Sequence, residues 1–280
     1  RIRSHHPDTT IGDFHLYSFV SRNENMLQDL GNVGTAAQPV FYRPPQTIGR
    51  TSGYDAYAPY RIGVNDFKLF DTRSPYTNIY ALLGGGNRNN TLVEHSQNIK
   101  PNWGFGGTFR QLTITKQISR TGRDDNEVES LAYNGYMYYW NKDSAYMALG
   151  TFSRMNHEVD ESGGIDDTNF VRDDEYFDQG NVDVRLEDAG SRELNIHYFL
   201  YQQYRLDSLL TLYNEFNHSL VSNYFIEENL TQEGEFFDQL LFNTEETFHR
   251  DKFRVYQNEA GIKGDLKKAF YRVYFKYRQN

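Results

Sequence analysis

The sequence predicts an all-β fold, an antiparallel transmembrane β-barrel of the outer-membrane type, of which these 280 residues form an incomplete portion. Three observations carry that prediction. From residue 76 onward, strand-like segments come in pairs joined by turns of four residues or fewer: Lys100-Pro101, Lys142-Asp143, Asp207 to Leu210 and Asp265-Leu266. Longer polar connections fall between the pairs, at 84–89, 116–126, 158–191 and 227–252. The long connections therefore share one end of the strands, as in barrels with short periplasmic turns and longer extracellular loops. Within the segments, apolar and polar residues alternate with period two, the signature of a strand with two unlike faces.

Composition agrees. The chain is 38% hydrophobic and has no stretch approaching the 18 apolar residues of a spanning helix. Its mean hydropathy of −0.76 would look soluble, but alternating barrel strands keep the average low. The 22 Tyr and 20 Phe suit strands and the aromatic girdles of a membrane interface. Composition by itself fits a soluble, tyrosine-rich β-sandwich equally well.

The organisation follows the chain. Residues 1–65 form an irregular N-terminal segment, because Pro39, Pro44, Pro45 and Pro59 interrupt any strand. Periplasmic, plug-like and partner-binding placements all remain open for it. Residues 66–280 carry the strands, at about 76–83, 90–99, 102–115, 127–141, 144–157, 192–206, 211–226, 253–264 and 268–279. The long connections at about 158–191 and 227–252 are its extracellular loops.

In 102–115, Trp103, Phe105 and Phe109 share one face, with Gly104 and Gly106 opposite, where small residues leave room for a close neighbour. Segments 131–140 and 145–155 alternate less cleanly. Segment 192–206 places Leu194, Ile196, Tyr198 and Leu200 on one face and Glu193, Asn195, His197, Gln203 and Arg205 on the other. In 211–226, Asn214 and His218 interrupt the apolar face, which suggests a bulge or a shifted register. The last segment sets Ala269, Tyr271, Val273, Phe275 and Tyr277 against Arg272, Lys276 and Arg278. Nine strands are an odd count, whereas single-chain bacterial barrels have an even one. A longer barrel is the favoured expectation, and a strand hidden in residues 1–65 is the other.

The candidate site residues are therefore the polar faces, expected to line a lumen: Glu193, Asn195, His197, Gln203, Arg205, Arg272, Lys276 and Arg278. Arg205, Arg272, Lys276 and Arg278 would make a basic strip that either selects among ions or pairs with neighbouring strands and plug loops. Charge is concentrated elsewhere. Residues 158–188 hold twelve acids against Arg172 and Arg185, a net of −10 in a chain whose total is −9. Asp166, Asp167, Asp173, Asp174, Glu175 and Asp178 mark this acidic extracellular loop. It lacks the spacing of an EF-hand, so a solvated loop competes with loose cation binding that bridges the loop acids to lipopolysaccharide phosphates.

Other chemistries are excluded or unsupported. Cysteine is absent, which removes disulfides, thiolate metal sites and thiol nucleophiles. The net charge of −9 argues against a nucleic-acid partner. Gly84-Gly85-Gly86 has no Lys-Ser/Thr after it and reads as a loop. The histidines lack HExxH spacing, so no catalytic residue, metal or cofactor is expected.

Several stretches resemble the putative-porin family of Bacteroidota outer membranes. They are Asp8-Thr9-Thr10-Ile11 with Phe14-His15, Leu30-Gly31-Asn32-Val33-Gly34, and Asp66 to Thr77, followed by Gly84-Gly85-Gly86 and His95-Ser96-Gln97-Asn98-Ile99. Glu161-Ser162-Gly163-Gly164-Ile165 and Asn258 to Gly264 complete them. The resemblance implies an outer-membrane barrel of a Gram-negative bacterium and no catalytic residues. The expected function is passive diffusion of small hydrophilic solutes, with outer-membrane lipid and lipopolysaccharide around the barrel. A non-conducting barrel that holds other outer-membrane proteins as scaffold or subunit is the alternative. A secreted carbohydrate-binding sandwich is the third reading.

Overall fold

The computed structural model describes residues 16, 19–22, 26–42, 49–63, 68–70, 72–85, 88–116, 126–166, 182–186, 188–207, 209–228, 236–237, 246–266 and 269–280. A short helix α1 (Phe19–Arg22) and strands β1 (Leu27–Asp29) and β2 (Ala37–Pro39) come first, then a 3₁₀ turn at Ala58–Tyr60. Nine strands follow: β3 (Tyr76–Gly84), β4 (Arg88–Lys100), β5 (Trp103–Thr115), β6 (Asn126–Trp140), β7 (Tyr146–Glu161), β8 (Ala189–Arg205), β9 (Thr211–Glu227), β10 (Thr247–Asp265) and β11 (Phe270–Gln279). They make one antiparallel sheet in sequence order, with β3 and β11 as its edges. The sheet is open, an unclosed stretch of barrel wall. Among the described residues none before β3 joins it; β1 and β2 pair only with each other.

All nine predicted strands are present, with three corrections. The connection expected at 84–89 is only 85–87, because Gly84 pairs with Arg88 and the ladder carries the asparagines behind it. Strand β10 begins at Thr247 rather than 253, β7 runs on to Glu161, and β8 starts at Ala189. These polar ends look like loop in a sequence, but they are backbone-paired extensions beyond the apolar band. Nor is there a bulge in β9, which pairs without a shift on both sides. Asn214 and His218 stay on the apolar face and are compensated there: Asn214 Nδ2 donates to Asn258 Oδ1 at 3.2 Å, and His218 stacks on Tyr256 at 4.5 Å. The register shifts lie instead at Asn98/Lys100 and Ile114/Thr115.

Because successive side chains point to opposite faces, the continuous register sorts the whole sheet into two surfaces. One is bare and apolar: Leu83 is 76% exposed and Phe275 74%, and Phe105, Phe109, Leu131, Met137, Leu200 and Val273 are exposed with them. The other is covered by the N-terminal segment. There Ala37, Tyr57 and Tyr60 pack with Leu112, Ile114, Val128, Ala132, Met155 and Val159 in the hydrophobic core. Serines and histidines are buried on the same surface. An apolar outside and a polar inside invert the pattern of a soluble sandwich and match a barrel in lipid.

Glycine shapes the covered face at one place. A Cβ on Gly104 would meet the Tyr138 ring at 2.3 Å, and one on Gly106 the Tyr136 hydroxyl at 2.5 Å. The two glycines let the β6 tyrosines lie flat across β5, and their hydroxyls reach Asn98 at 2.9 Å and Ser96 at 3.0 Å on β4.

Leu200→Arg places a guanidinium in the bare apolar band, where a lipid-facing charge costs from about 1 kcal/mol near the interface to about 4 kcal/mol at the midplane. The folded, heat-modifiable fraction on cold gel electrophoresis after refolding into vesicles is expected to fall sharply. An unchanged fraction would mean that this face does not meet lipid.

Candidate functional site

The site is the covered face and the segment held against it. Its centre is a turn at Leu30–Gly34. Gly31 and Gly34 adopt positive φ of 97° and 95°, a region open to glycine and strained for branched side chains. Thr35 Oγ1 donates to the Asn32 carbonyl at 2.6 Å, closing the turn. Gly34 then sits against the sheet so closely that a Cβ would lie 2.5 Å from Val128 Cγ1. From that position its carbonyl accepts from His157 Nε2 at 2.7 Å, and its N–H donates to the Tyr60 hydroxyl at 3.1 Å. Asn32 donates to Glu127 beside it. His157 is fully buried, stacked on Tyr60 at 5.0 Å and beside Tyr57 at 4.8 Å.

The second anchor is ionic. Arg61 grips Glu193 on β8 with two parallel bonds, Nε to Oε1 at 2.6 Å and Nη2 to Oε2 at 2.7 Å. Glu193 is 1% exposed, so this carboxylate has left water entirely. A planar guanidinium matches a carboxylate in this fork geometry, and the pair holds residue 61 in register with the wall. The Tyr54 carbonyl accepts from Arg61 at 2.8 Å, which ties the pair back into its own segment. Burial would lower the Arg61 pKa, but the bonds and charges of Glu193 and Asp55 together raise it. Burial pushes the Tyr60 hydroxyl up to about 12, and burial with the Glu161 charge pushes Tyr57 higher still. Both therefore remain protonated donors at neutral pH, Tyr57 to Glu161 at 2.9 Å and Tyr60 to the Thr35 carbonyl at 2.9 Å.

Further contacts run along the segment. Ser153 donates to the Ile62 carbonyl at 3.1 Å, and Arg110 donates to the Tyr60 carbonyl. At Phe70 the N–H donates to Tyr136 at 3.2 Å and the carbonyl accepts from Tyr138 at 3.0 Å. Arg278 on β11 donates to the Arg50 carbonyl at 2.9 Å.

Towards the short-turn end of β8–β11 the wall changes character. Glu259 accepts from Arg272 and, at 2.8 Å, from Tyr213, with Lys276 at 3.8 Å. Glu215 stands directly opposite Glu259 in the register, and Lys263 donates to Tyr201 at 2.7 Å. Arg272 and Lys276 remain nearly half exposed, at 45% and 42%.

All eight residues expected to line a lumen fall on this covered face. Glu193 is joined to Arg61. Asn195 is buried, His197 pairs with Asn217 at 2.9 Å, and Gln203 accepts from Tyr201 at 2.8 Å. Arg205 is exposed at the strand end, its Nη2 3.4 Å from the Asp143 carbonyl. Arg272 and Lys276 share Glu259, while Arg278 reaches the N-terminal segment. Of the acidic loop, Asp166 is described, its N–H donating to the Asp183 carbonyl at 2.9 Å. Asp167, Asp173, Asp174, Glu175 and Asp178 lie outside the described residues. Among the described residues no three acidic or histidine side chains group as metal ligands. Sequence reasoning missed Arg61, His157 and Glu259 as members of the site. Glu259 was open to it, since Glu259, Gly261 and Lys263 alternate; Arg61 follows no period.

A family described as "Putative porin" matches residues 1–280. The chain belongs to this family. No curated protein matches the sequence significantly. Among solved structures, the siderophore receptor PiuA from Acinetobacter baumannii superposes with a TM-score of 0.51 at 9% identity, over 74% of this chain and 30% of that one. The ferric-catecholate import receptor Fiu from K12 E. coli, in a closed form, gives 0.50 at 9% identity, over 72% and 31%. The porin-family chain thus spans about 30% of the length of these barrel receptors, and the likeness is one of fold. Family and fold together make it an outer-membrane barrel protein. Three of the stretches that resembled the family fix geometry here. Leu30–Gly34 docks on the wall, Asn258 to Gly264 carries the charged row, and Gly163 and Gly164 turn the base of a long connection, with φ of 61° and 93°.

Arg61→Met strands a buried carboxylate, at a cost of about 3–5 kcal/mol to docking. Hydrogen exchange at residues 54–62 is expected to accelerate at least a hundredfold, and Arg61→Met/Glu193→Leu to recover most of the protection. Gly34→Val should expose residues 26–63 to limited proteolysis while the strands stay resistant; unchanged cleavage would refute the docking role of Gly34.

Proposed function

We propose that this porin-family barrel passes small hydrophilic solutes along its polar inner wall, with residues 26–42 and 49–63 acting as a plug-like occupant of part of the lumen. The role is transport without catalysis. The observation that carries this reading is the row of Glu215, Glu259, Lys263, Arg272 and Lys276, which lies on the covered face yet keeps solvent-accessible cations. Fixed charge of this kind selects among permeating ions. Its cations outnumber its carboxylates, so the wall favours anions.

A second reading has its own support. The anchors at Gly34 and Arg61 are buried and specific, as expected of a lumen kept closed in a barrel that serves as scaffold or subunit of a larger assembly.

Single-channel recording of the full-length protein in a planar bilayer tests both. Stepwise openings with anion-selective reversal potentials in a salt gradient are expected, and Lys276→Glu should move the reversal potential towards the cation value. A folded barrel that stays silent, but opens in the Arg61→Met variant, would favour the closed-lumen reading. Cation preference in the wild type would overturn the basic wall.

A further inference from the structure

The bare face of β10 breaks its own apolar pattern. Along alternate positions it presents Arg250, Lys252 and Arg254, all exposed, before Tyr256, Asn258, Ala260 and Ile262. Alternate residues on one strand face lie about 6.8 Å apart, so three cations form a line on the outside of the wall. Among the described residues none of the three forms a salt bridge. Their neighbours on β9 in this register are Tyr224, Ser222 and Leu220, none of them acidic, while β11 pairs with β10 only from Tyr256 on. Asp251 alternates to the opposite face. Arg250 sits over the Tyr224 ring at 4.9 Å, which places the cation without neutralising it.

The height of this line is set by aromatics. Tyr256 stacks on His218 at 4.5 Å and His218 on Tyr198 at 5.8 Å, a row across β10, β9 and β8. Such rows mark the interface of a membrane barrel, with apolar side chains on the hydrocarbon side. The cations lie on the other side of the row, towards the long connection 228–246, which is the extracellular end in this architecture. Outward-facing cations at that height meet the headgroups of the outer leaflet, and guanidinium groups bind phosphate oxygens in paired bonds.

We propose that Arg250, Lys252 and Arg254 form a docking site for the phosphorylated headgroup of lipopolysaccharide on the outer surface of the barrel. The site rests on the strands crossing the outer membrane and is independent of whether the lumen conducts. It would fix lipid against β10 near the membrane interface, where lipid-facing charge costs far less than at the midplane.

The test is native mass spectrometry of the full chain in uncharged detergent, with lipid A as the probe. Wild-type protein is expected to retain lipid A at least tenfold better than the same lipid stripped of its phosphates. Arg250→Gln/Lys252→Gln/Arg254→Gln should lose that preference, whereas Lys252→Arg keeps it. Equal retention of stripped lipid by the wild type, or of lipid A by the triple variant, overturns the site. So does equal retention of phosphatidylglycerol, which would reduce the patch to general anionic attraction. The stripped-lipid comparison uses wild-type protein alone and decides the matter even if the triple variant does not fold. Heat-modifiable gel mobility reports separately on the barrel, so a wild type that never folds in detergent or membrane would count against the barrel and the site together.

Discussion

In hydrocarbon no water is available to a peptide group, so every N–H and C=O within the membrane must find a partner in the protein. That constraint organises this molecule. Strands β5 to β9 pair along nearly their whole length with both neighbours, β10 pairs with β11 only from Tyr256 on, and only two register irregularities interrupt the ladders. Once the ladders are continuous, side-chain direction is no longer a local choice. A slip of one residue in any strand would turn its apolar set inward and its polar set into lipid. The two open edges, β3 and β11, carry the same unsatisfied groups and must be paired before the arc can sit in a membrane.

The inner surface shows how a barrel wall can bind its own chain. Towards the long connections the wall is apolar and buried beneath residues 26–42 and 49–63, with Gly34 seated where any side chain would collide with Val128. Towards the short turns it is charged, and one carboxylate, Glu259, serves Arg272, Lys276 and Tyr213. The Arg61–Glu193 pair lies within the docked region, Glu193 standing opposite His157 in the register, and differs from the surface pairs of the strands. An exposed pair such as Arg192–Glu158 contributes at most about 1 kcal/mol, whereas breaking a buried pair leaves an uncompensated charge. Docking of the segment is thus specific to one position, which hydrophobic contact alone would not ensure.

Side-chain chemistry on the outer surface obeys a different rule. Asn214, His218 and the β10 cations look like defects in an apolar face, yet each has a local answer. Asn214 faces Asn258, His218 lies between two tyrosine rings, and Arg250 rests on Tyr224. Polar groups are admitted to a lipid-facing surface where a neighbour on the next strand receives them, or where the membrane interface begins.

Much of this was legible in the sequence because it depends on short-range order. Period-two alternation located all nine strands and set the face of every candidate lumen residue, from Glu193 to Arg278. The tight connections, rich in Pro, Asp and Lys, gave the pairing. What failed did so for physical reasons. The polar ends of β7, β8 and β10 resemble loops because polarity reports solvent, not backbone pairing. The expected bulge in β9 rested on Asn214 and His218, whose partners Asn258 and Tyr256 lie on another strand. Arg61 and Glu193 are separated by 132 residues, and no local pattern links them. The sequence by itself determined which residues form strands and which way each side chain points, since both follow from backbone geometry. Only the tertiary structure decided which charges meet and where the N-terminal segment docks, because those depend on distances between strands that local patterning does not encode.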